Sequence, residues 1–287
     1  MESGSSSSSR LLPSFSLFLL VLALAITPAF AAEFHPIVVP GSTSTSAQVI
    51  NNFSQVVGYY EATAGFEGFL LSNGQYTTVN YPNAPNTLLS GINDRGTICG
   101  YFDDGINIHG FKLKHGKFIR LDFPAATDTY TLGINNRGNV VGFYHAIDGT
   151  THGYKRTNHQ FVTIDAPGAT QTEATGINDA GVITGFFSDA TGQHGFVLRN
   201  GTFQTVDFPD SVSTNANGLN NRSQVVGFYV LPSTFQTNGF KLTPGKFVSL
   251  TYPGATATRA FGINRHDAVV GNWLDSQGNL SGFVLIP

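Results

Sequence analysis

A tripeptide, Gly-Ile-Asn or a close variant of it, recurs six times along this 287-residue chain. Its last residue lies at Asn51, Asn93, Asn135, Asn178, Asn220 and Asn264. These anchors are 42, 42, 43, 42 and 44 residues apart, and each is embedded in the pattern T-x-A-x-G-I-N, V-V-G-x-Y, H-G-F-x-L and F-x-x-x-D-x-P. A fixed period of this length is typical of repeat folds, so the repeat constrains the fold more than any other feature.

Each repeat contains four short strand-like segments separated by turn residues. In the second repeat they are approximately residues 87–93, 97–102, 109–113 and 117–123. Helical repeats of similar length would need apolar runs of about ten residues with a period of 3.6, and these are not found. Four antiparallel strands in about 42 residues match one blade of a β-propeller.

The two ends of the repeat array predict how the fold closes. The last repeat stops after its third strand, whereas residues 34–41 align without a gap on residues 247–254, which form a fourth strand. The N-terminal strand is therefore expected to complete the C-terminal blade and leave no open edge. The sequence predicts an all-β, six-bladed β-propeller over residues 32–287, with four antiparallel strands per blade.

Residues 1–31 are expected to be a secretory signal peptide. Arg10 precedes an apolar run from Leu11 to Ile26, and Ala29-Phe30-Ala31 forms a cleavage-type site. The run is short for a membrane span, so no span is expected after cleavage. The mature protein is predicted to be secreted, or periplasmic in a Gram-negative host.

Composition argues against several classes of function. Charged residues make up 11% of the chain and the net charge is −3, which argues against a nucleic-acid partner. Cys99, the single cysteine, occupies a slot filled by valine in other repeats. No nucleophile elbow, phosphate-binding loop, dinucleotide fingerprint or H-E-x-x-H motif occurs, so no cofactor and no metal are predicted. A monomer is expected.

The pattern G-I-N-x-x-G-x-V-V-G-x-Y followed by H-G-F resembles the HAF-type extracellular repeats of secreted proteins. Residues 133–144 with 152–154, and residues 176–187 with 194–196, show the pattern best. The resemblance covers essentially all of residues 32–287. It implies secretion and a propeller-like repeat array, and no catalytic residues can be carried over from it to this chain.

Three histidines of the H-G-F motif are interpreted as structural. Each is followed thirteen residues later by an aspartate, and the repeats that lack the histidine also lack the aspartate. Because the two positions lie on adjacent antiparallel strands, a hydrogen bond that latches the blade is expected. The predicted pairs are His109 with Asp122, His152 with Asp165, and His194 with Asp207. Catalysis or metal binding is the alternative role.

Positions that vary within the fixed frame are the better functional candidates. The second residue of the innermost strand differs in every repeat and is predicted to ring one mouth of a central channel. The ring consists of Ser46, Leu88, Tyr130, Glu173, Asn215 and Arg259. The loops between second and third strands, expected at the same mouth, add His145 and Trp273. The indole of Trp273 could stack on a sugar ring or cap its own blade.

These features favour a recognition module that binds a glycan or small molecule at the channel mouth. The candidate ligand-binding residues are Tyr130, Glu173, Asn215, Arg259, His145 and Trp273. One alternative is an extracellular enzyme, a polysaccharide lyase or hydrolase-like, in which Arg259 neutralises a carboxylate and Tyr130 or Glu173 exchanges a proton. Another is a structural envelope protein, favoured if side chains fill the mouth.

Overall fold

The computed structural model describes residues 32–287, together with Met1 and Gly4, and the remainder of the predicted signal peptide, 1–31, lies outside the described residues. Residues 32–287 form one all-β unit of 24 strands. In chain order they are β1 Glu33–Ile37, β2 Ser44–Ile50, β3 Val56–Ala62, β4 Gly65–Ser72, β5 Gln75–Thr78, β6 Asn86–Ile92, β7 Ile98–Asp103, β8 Ile108–Lys114, β9 Lys117–Leu121, β10 Ala126–Ile134, β11 Val140–Ala146, β12 Thr151–Thr157, β13 Gln160–Ile164, β14 Gln171–Ile177, β15 Ile183–Asp189, β16 Gly192–Arg199, β17 Thr202–Val206, β18 Ser213–Leu219, β19 Val225–Val230, β20 Thr237–Thr243, β21 Lys246–Leu250, β22 Ala257–Ile263, β23 Val269–Leu274 and β24 Leu280–Ile286. Within this part of the chain, no helix is able to cross a bilayer.

The strands fall into groups of four with antiparallel pairing. β2 to β5 and β6 to β9 are separate four-stranded sheets, and a third has the order β1-β24-β23-β22. Strands β10 to β21 form three further groups, which two isolated parallel pairings, Thr151 with Gln171 and Gln193 with Ser213, join into one sheet. The anchor-bearing strand is at one edge of each group and the F-x-x-x-D strand, or β1, is at the other.

The N-terminal strand lies in the last group. β1 pairs antiparallel with β24 along its whole length, from Glu33 opposite Ile286 to Ile37 opposite Gly282. Ile37 is buried in a cluster with residues of β2, β3 and β4. β1 therefore takes the fourth-strand position that its alignment with residues 247–254 predicted, and it contacts the first group as well as the last.

The core lies between neighbouring groups and is built around one aromatic ring from each third strand. These rings belong to Phe69, Phe111, Tyr154, Phe196, Phe240 and Phe283, all fully buried. The glycine of V-V-G makes room for them. A Cβ on Gly142 would lie 1.8 Å from the carbonyl oxygen of Tyr130 and 3.0 Å from the ring of Tyr154, so only glycine fits there.

A buried threonine fixes each connection into an innermost strand. Its hydroxyl oxygen accepts a hydrogen bond of 2.9–3.1 Å from the backbone N–H six residues earlier. The six threonines are Thr45, Thr87, Thr129, Thr172, Thr214 and Thr258. Because the bond spans the end of one group and the start of the next, it sets the position of successive groups.

The anchor asparagines link neighbouring groups. Each Nδ2 donates to the backbone carbonyl oxygen of the next anchor at 2.9–3.3 Å, and Asn264 donates back to Asn51. The Oδ1 of Asn51 accepts from the N–H groups of Phe53 and Gln55, which is the Asx-type turn that the sequence indicated. The anchors therefore form a circuit of hydrogen bonds that returns to its first member.

All three predicted histidine–aspartate pairs are hydrogen-bonded. The Nδ1 atoms of His109, His152 and His194 lie 3.1, 2.8 and 2.9 Å from their aspartate oxygens. The Nε2 atoms contact Asp104, Thr150 and Thr191 respectively. Both ring nitrogens are thus occupied, and the described residues include no cluster of three or more His, Cys, Asp or Glu suited to a metal ion.

Candidate ligand-binding cavity

The innermost strands β2, β6, β10, β14, β18 and β22 enclose a central cavity of about 370 Å³. Its wall is completed by the turns that follow these strands and carry the anchor asparagines. The volume is within the range of small-molecule sites. Since side chains from all six repeats meet here, this cavity is the place where the varied positions of the repeat can act together.

A β-bulge in each innermost strand brings one extra residue to the cavity. In β14 the register shifts between Ala174 and Gly176, which makes Thr175 the extra residue. The equivalent residues, all of which line the cavity, are Gln48, Ser90, Leu132, Thr175, Asn217 and Phe261. They form a belt of mixed polar and apolar character, which we call the bulge belt.

Among the described residues, Glu173 is the ionisable residue that the innermost strands contribute to the cavity wall. It lies two residues before the bulge in β14, opposite Phe186 of β15. Burial raises the pKa of its carboxyl from the ordinary 4.5 to about 7, and within the described part of the chain no hydrogen bond or charge opposes this shift. Near neutral pH both protonation states of the carboxyl are therefore accessible, and it can donate a hydrogen bond to a ligand or accept one.

The structure divides the predicted ring. Glu173 and Asn215 line the cavity, and the Oδ1 of Asn215 accepts a hydrogen bond from Gln193 at 2.8 Å. Ser46 is fully buried, with its Oγ hydrogen-bonded to Gln48 and Asn272. The ring members outside the cavity lining are Ser46, Leu88, Tyr130 and Arg259.

Tyr130 and His145 are brought together beside the cavity. Their ring centroids lie 5.5 Å apart, and Tyr130 stacks on Phe143 at 4.3 Å. His145 Nδ1 is 3.3 Å from a carboxylate oxygen of Asp128. Burial first, and then the charges of Asp128 and Glu173, raise the pKa of the Tyr130 phenol. The charge of Glu173 therefore disfavours ionisation of the Tyr130 phenol.

Arg259 is not paired with Glu173. Its guanidinium carbon lies 5.7 Å from the ring centroid of Phe228, and burial lowers its pKa. In the described residues, neither side chain contributes to the pKa shift of the other. The predicted role of Arg259, which is to neutralise a carboxylate while Tyr130 or Glu173 exchanges a proton, does not require this pairing and stays a prediction.

Trp273 packs inside its sheet group and not on an exposed loop. Its indole stacks on Tyr252 with centroids 4.1 Å apart and belongs to a core cluster with Phe283. The stacked pair Phe208 and Tyr229 occupies the same place in the preceding group. Trp273 is therefore the blade-capping residue of its repeat, and the sugar-stacking interpretation is replaced by the capping one.

A second set of aromatic residues was not among the predicted site residues. These residues occupy the variable position x of V-V-G-x-Y, and each pairs directly with the predicted ring residue of its own group. They are Tyr59, Tyr101, Phe143, Phe186 and Phe228, with Asn272 in the sixth repeat. This position is aromatic in five of six repeats, and this regularity was the available signal. Burial, followed by the charges of Tyr59, Tyr130 and Glu173, raises the pKa of Tyr101.

The cavity extends to the anchor end of the innermost strands, which is opposite to the mouth that the sequence favoured. Its rim consists of the residues that follow the anchors: Asn52, Asp94, Asn136, Asp179, Asn221 and Arg265. One Asp179 oxygen accepts from Asn136 at 2.9 Å and from Asn221 at 2.7 Å. Burial acts to raise the pKa of Asp179, but these hydrogen bonds and a backbone one outweigh it and lower the pKa.

Fold and site together define an all-β, propeller-like protein with a central cavity. No protein-family model and no curated protein matches the sequence. Three solved structures are similar to it: TolB from Acinetobacter baumannii (12% identity, TM-score 0.60, 82% of this chain and 64% of that one), the Aleuria aurantia lectin in complex with Fucα1-6GlcNAc (11%, 0.53, 85% and 96%), and virginiamycin B lyase from Staphylococcus aureus with quinupristin (12%, 0.51, 88% and 88%). At these identities the similarity shows the fold alone.

Proposed function

We propose that residues 32–287 form a closed six-bladed β-propeller that binds a small molecule or a short glycan segment in its central cavity. The six repeats, the pairing of β1 with β24 and the return of the anchor hydrogen bonds from Asn264 to Asn51 support this architecture. Secretion, or a periplasmic location, follows from the signal-peptide pattern, and membership of the HAF-type family follows from the motif.

The observation that carries the binding proposal is the partnerless Glu173 in an open cavity. Burying a carboxyl without a partner costs free energy, and within the described chain no hydrogen bond or opposite charge offsets that cost. A ligand hydroxyl or amine that hydrogen-bonds to Glu173 would offset it. The nearby faces of Phe186 and Phe228 supply apolar surface of the kind that sugar rings and small aromatic molecules contact. A protein with a purely structural role would need neither feature.

Recognition is favoured over catalysis by the composition of the cavity wall. Glycoside hydrolysis commonly uses two free carboxyl groups, and the other lining carboxylates, Asp94 and Asp179, are held in rim hydrogen bonds. The enzyme remains the second candidate because the pKa of Glu173, about 7, suits proton exchange at neutral pH.

The test is a screen of the wild-type protein on a glycan array and a small-molecule thermal-shift panel, followed by calorimetric titration of each hit. Leu132→Trp fills the bulge belt and should weaken binding about tenfold or more. Glu173→Gln removes the ionisable group at nearly constant size and should also weaken binding. Ile119→Trp, on the exposed face of β9, is the matched control and should bind like the wild type.

If the ligand binds Leu132→Trp as well as it binds the wild type, it binds outside the cavity and the proposal is overturned. The proposal is also overturned if the wild-type protein binds no member of either panel. Product formation on uronate polymers, lost in Glu173→Gln while binding persists, would replace recognition with catalysis.

A further inference from the structure

A second cavity, between the second and third repeats, is lined by positive charge. It has a volume of about 290 Å³, and its lining includes the anchor Asn93 and Asn136, the residue that follows the anchor Asn135. Its cationic side chains are Arg95, Lys112, Lys114, Arg137 and Arg156, joined by His159. Among the described residues, no carboxylate lines it. A third of the 15 lysines and arginines of a net-negative chain therefore meet in one cleft.

Arg156, which lines this cavity, departs from the residue pattern of the other repeats. The equivalent residue in the other five repeats is leucine: Leu71, Leu113, Leu198, Leu242 and Leu285. Those leucines lie in or against the hydrophobic core clusters of their groups. In the third repeat the guanidinium takes this place, 5.2 Å from the ring centroid of Phe161. A charged side chain in a core slot loses hydration and needs a compensating partner.

The chain supplies Arg156 with only part of that compensation. Its Nη2 donates to His159 Nδ1 at 3.3 Å, whereas its buried Nε has no hydrogen-bond partner among the described residues. The nearby Lys112 is also half-buried and donates to the carbonyl oxygen of Gly138 at 3.3 Å. Two partly desolvated cations without a counter-charge thus face one cleft.

We propose that this cleft is a binding site for oxyanions: sulfate, phosphate or carboxylate groups, free or carried on a sugar. The planar guanidinium of Arg156 presents its Nη donors to a tetrahedral or carboxylate group, and Lys112 adds a point charge. Arg95, Lys114 and Arg137, all exposed at the rim, extend the positive field and would engage further anionic groups of a longer ligand. This site shares Asn93 and Asn136 with the lining of the central cavity, but none of its cationic side chains lines that cavity, and the proposal does not depend on what binds there.

The experiment is calorimetric titration of the mature protein at low ionic strength with four probes: inorganic sulfate, inorganic phosphate, a heparin-derived tetrasaccharide and an oligogalacturonate. Arg156→Leu restores the leucine of the other repeats and is expected to fold normally. Loss of its charged hydrogen bonds should weaken binding of the oxyanions about tenfold or more. Lys112→Val places in the cleft the valine found at Val197 and Val284 and should also weaken binding.

Lys241→Val is the matched control, because Lys241 occupies the Lys112 slot in the fifth repeat, outside the cleft. It should leave binding unchanged, and thermal unfolding without ligand should show all three variants folded. Tighter binding of a sulfated or carboxylated oligosaccharide than of the inorganic ions identifies an acidic glycan as the ligand. Equal binding identifies a free oxyanion, and both results support the site. The proposal fails if no probe binds the wild type, or if Arg156→Leu binds like the wild type.

Discussion

Among single residues, Glu173 shows how one side chain can link stability to pH. Its carboxyl is partly desolvated in a cavity lined by Phe186 and the bulge belt. Within the described chain no hydrogen bond or opposite charge compensates for the lost hydration. The protonated form is therefore favoured in the folded protein, whereas the unfolded chain ionises near the ordinary value. Folding and proton uptake are coupled at this position.

Glu173→Gln should abolish part of the pH dependence of stability. The folded pKa of about 7 lies above the unfolded value of 4.5, so the contribution of Glu173 is fully present below pH 4.5 and is lost as the pH rises through 7. After discounting for partial exposure, the wild type should lose on the order of 2 kcal/mol over this range. The glutamine variant should be the more stable protein at pH 8 and should not lose this increment.

Urea unfolding at pH 5 and pH 8 measures both proteins. Glu61→Gln, at an exposed position on β3, controls for the removal of a carboxylate and should follow the wild type. Identical slopes with pH for Glu173→Gln and the wild type would show that Glu173 is not desolvated.

The histidine–aspartate latches show how an element is held at its outer edge. Each latch joins the third strand of a group to the residue just after the fourth, where the sheet has its exposed edge. The side chain of His109 is 7% exposed and contacts two carboxylates, Asp104 and Asp122. The side chains of His152 and His194 are 28% and 22% exposed. The same motif should therefore contribute unequally to the stability of different groups.

His109→Ala should destabilise the protein by about 2 kcal/mol, and His152→Ala and His194→Ala by about 1 kcal/mol each, because exposed polar contacts are weakened by competing water. Thermal and urea unfolding of the three variants at pH 7 tests this order. Equal costs, or a larger cost for His152→Ala, would show that burial does not set the strength of the latch.

Strands and latches could be predicted from the sequence because both are periodic. The second repeat predicted strands at 87–93, 97–102, 109–113 and 117–123, within two residues of the bounds of β6 to β9. The cavity was harder to foresee. The bulge in each innermost strand adds a lining residue, such as Thr175, that the repeat pattern does not mark. Equivalent ring positions also differ from one another: Glu173 lines the cavity, whereas Tyr130 stacks on Phe143 and Arg259 lies against the ring of Phe228. For Trp273 the sequence left sugar stacking and blade capping open, because a loop entrance and a core slot share the same sequence neighbourhood.

The stability of the whole molecule depends on β1, which is the outer edge strand of the sheet β1-β24-β23-β22. A chain that begins at residue 43 lacks this strand and the buried side chains of Ile37 and Val39. The expected loss is on the order of 5 kcal/mol, and the uncovered β24 is expected to promote self-association. Urea unfolding and light scattering measure the two effects.

A synthetic peptide of residues 32–42 should suppress this self-association and restore part of the stability when added to the shortened chain. A peptide of the same composition in scrambled order is the control. Full stability of the shortened chain without any peptide would show that β1 is dispensable.

The pairing of Glu33 with Ile286 also determines how the molecule responds to force. Since β1 and β24 run antiparallel and their outer ends coincide, tension applied to both ends of residues 33–286 loads the first hydrogen bond of the pair and then each next one in turn. The hydrogen bonds between β1 and β24 would therefore break one after another, at a lower force than if all of them were sheared at once. A contact that is thermodynamically strong is thus mechanically weak along this direction.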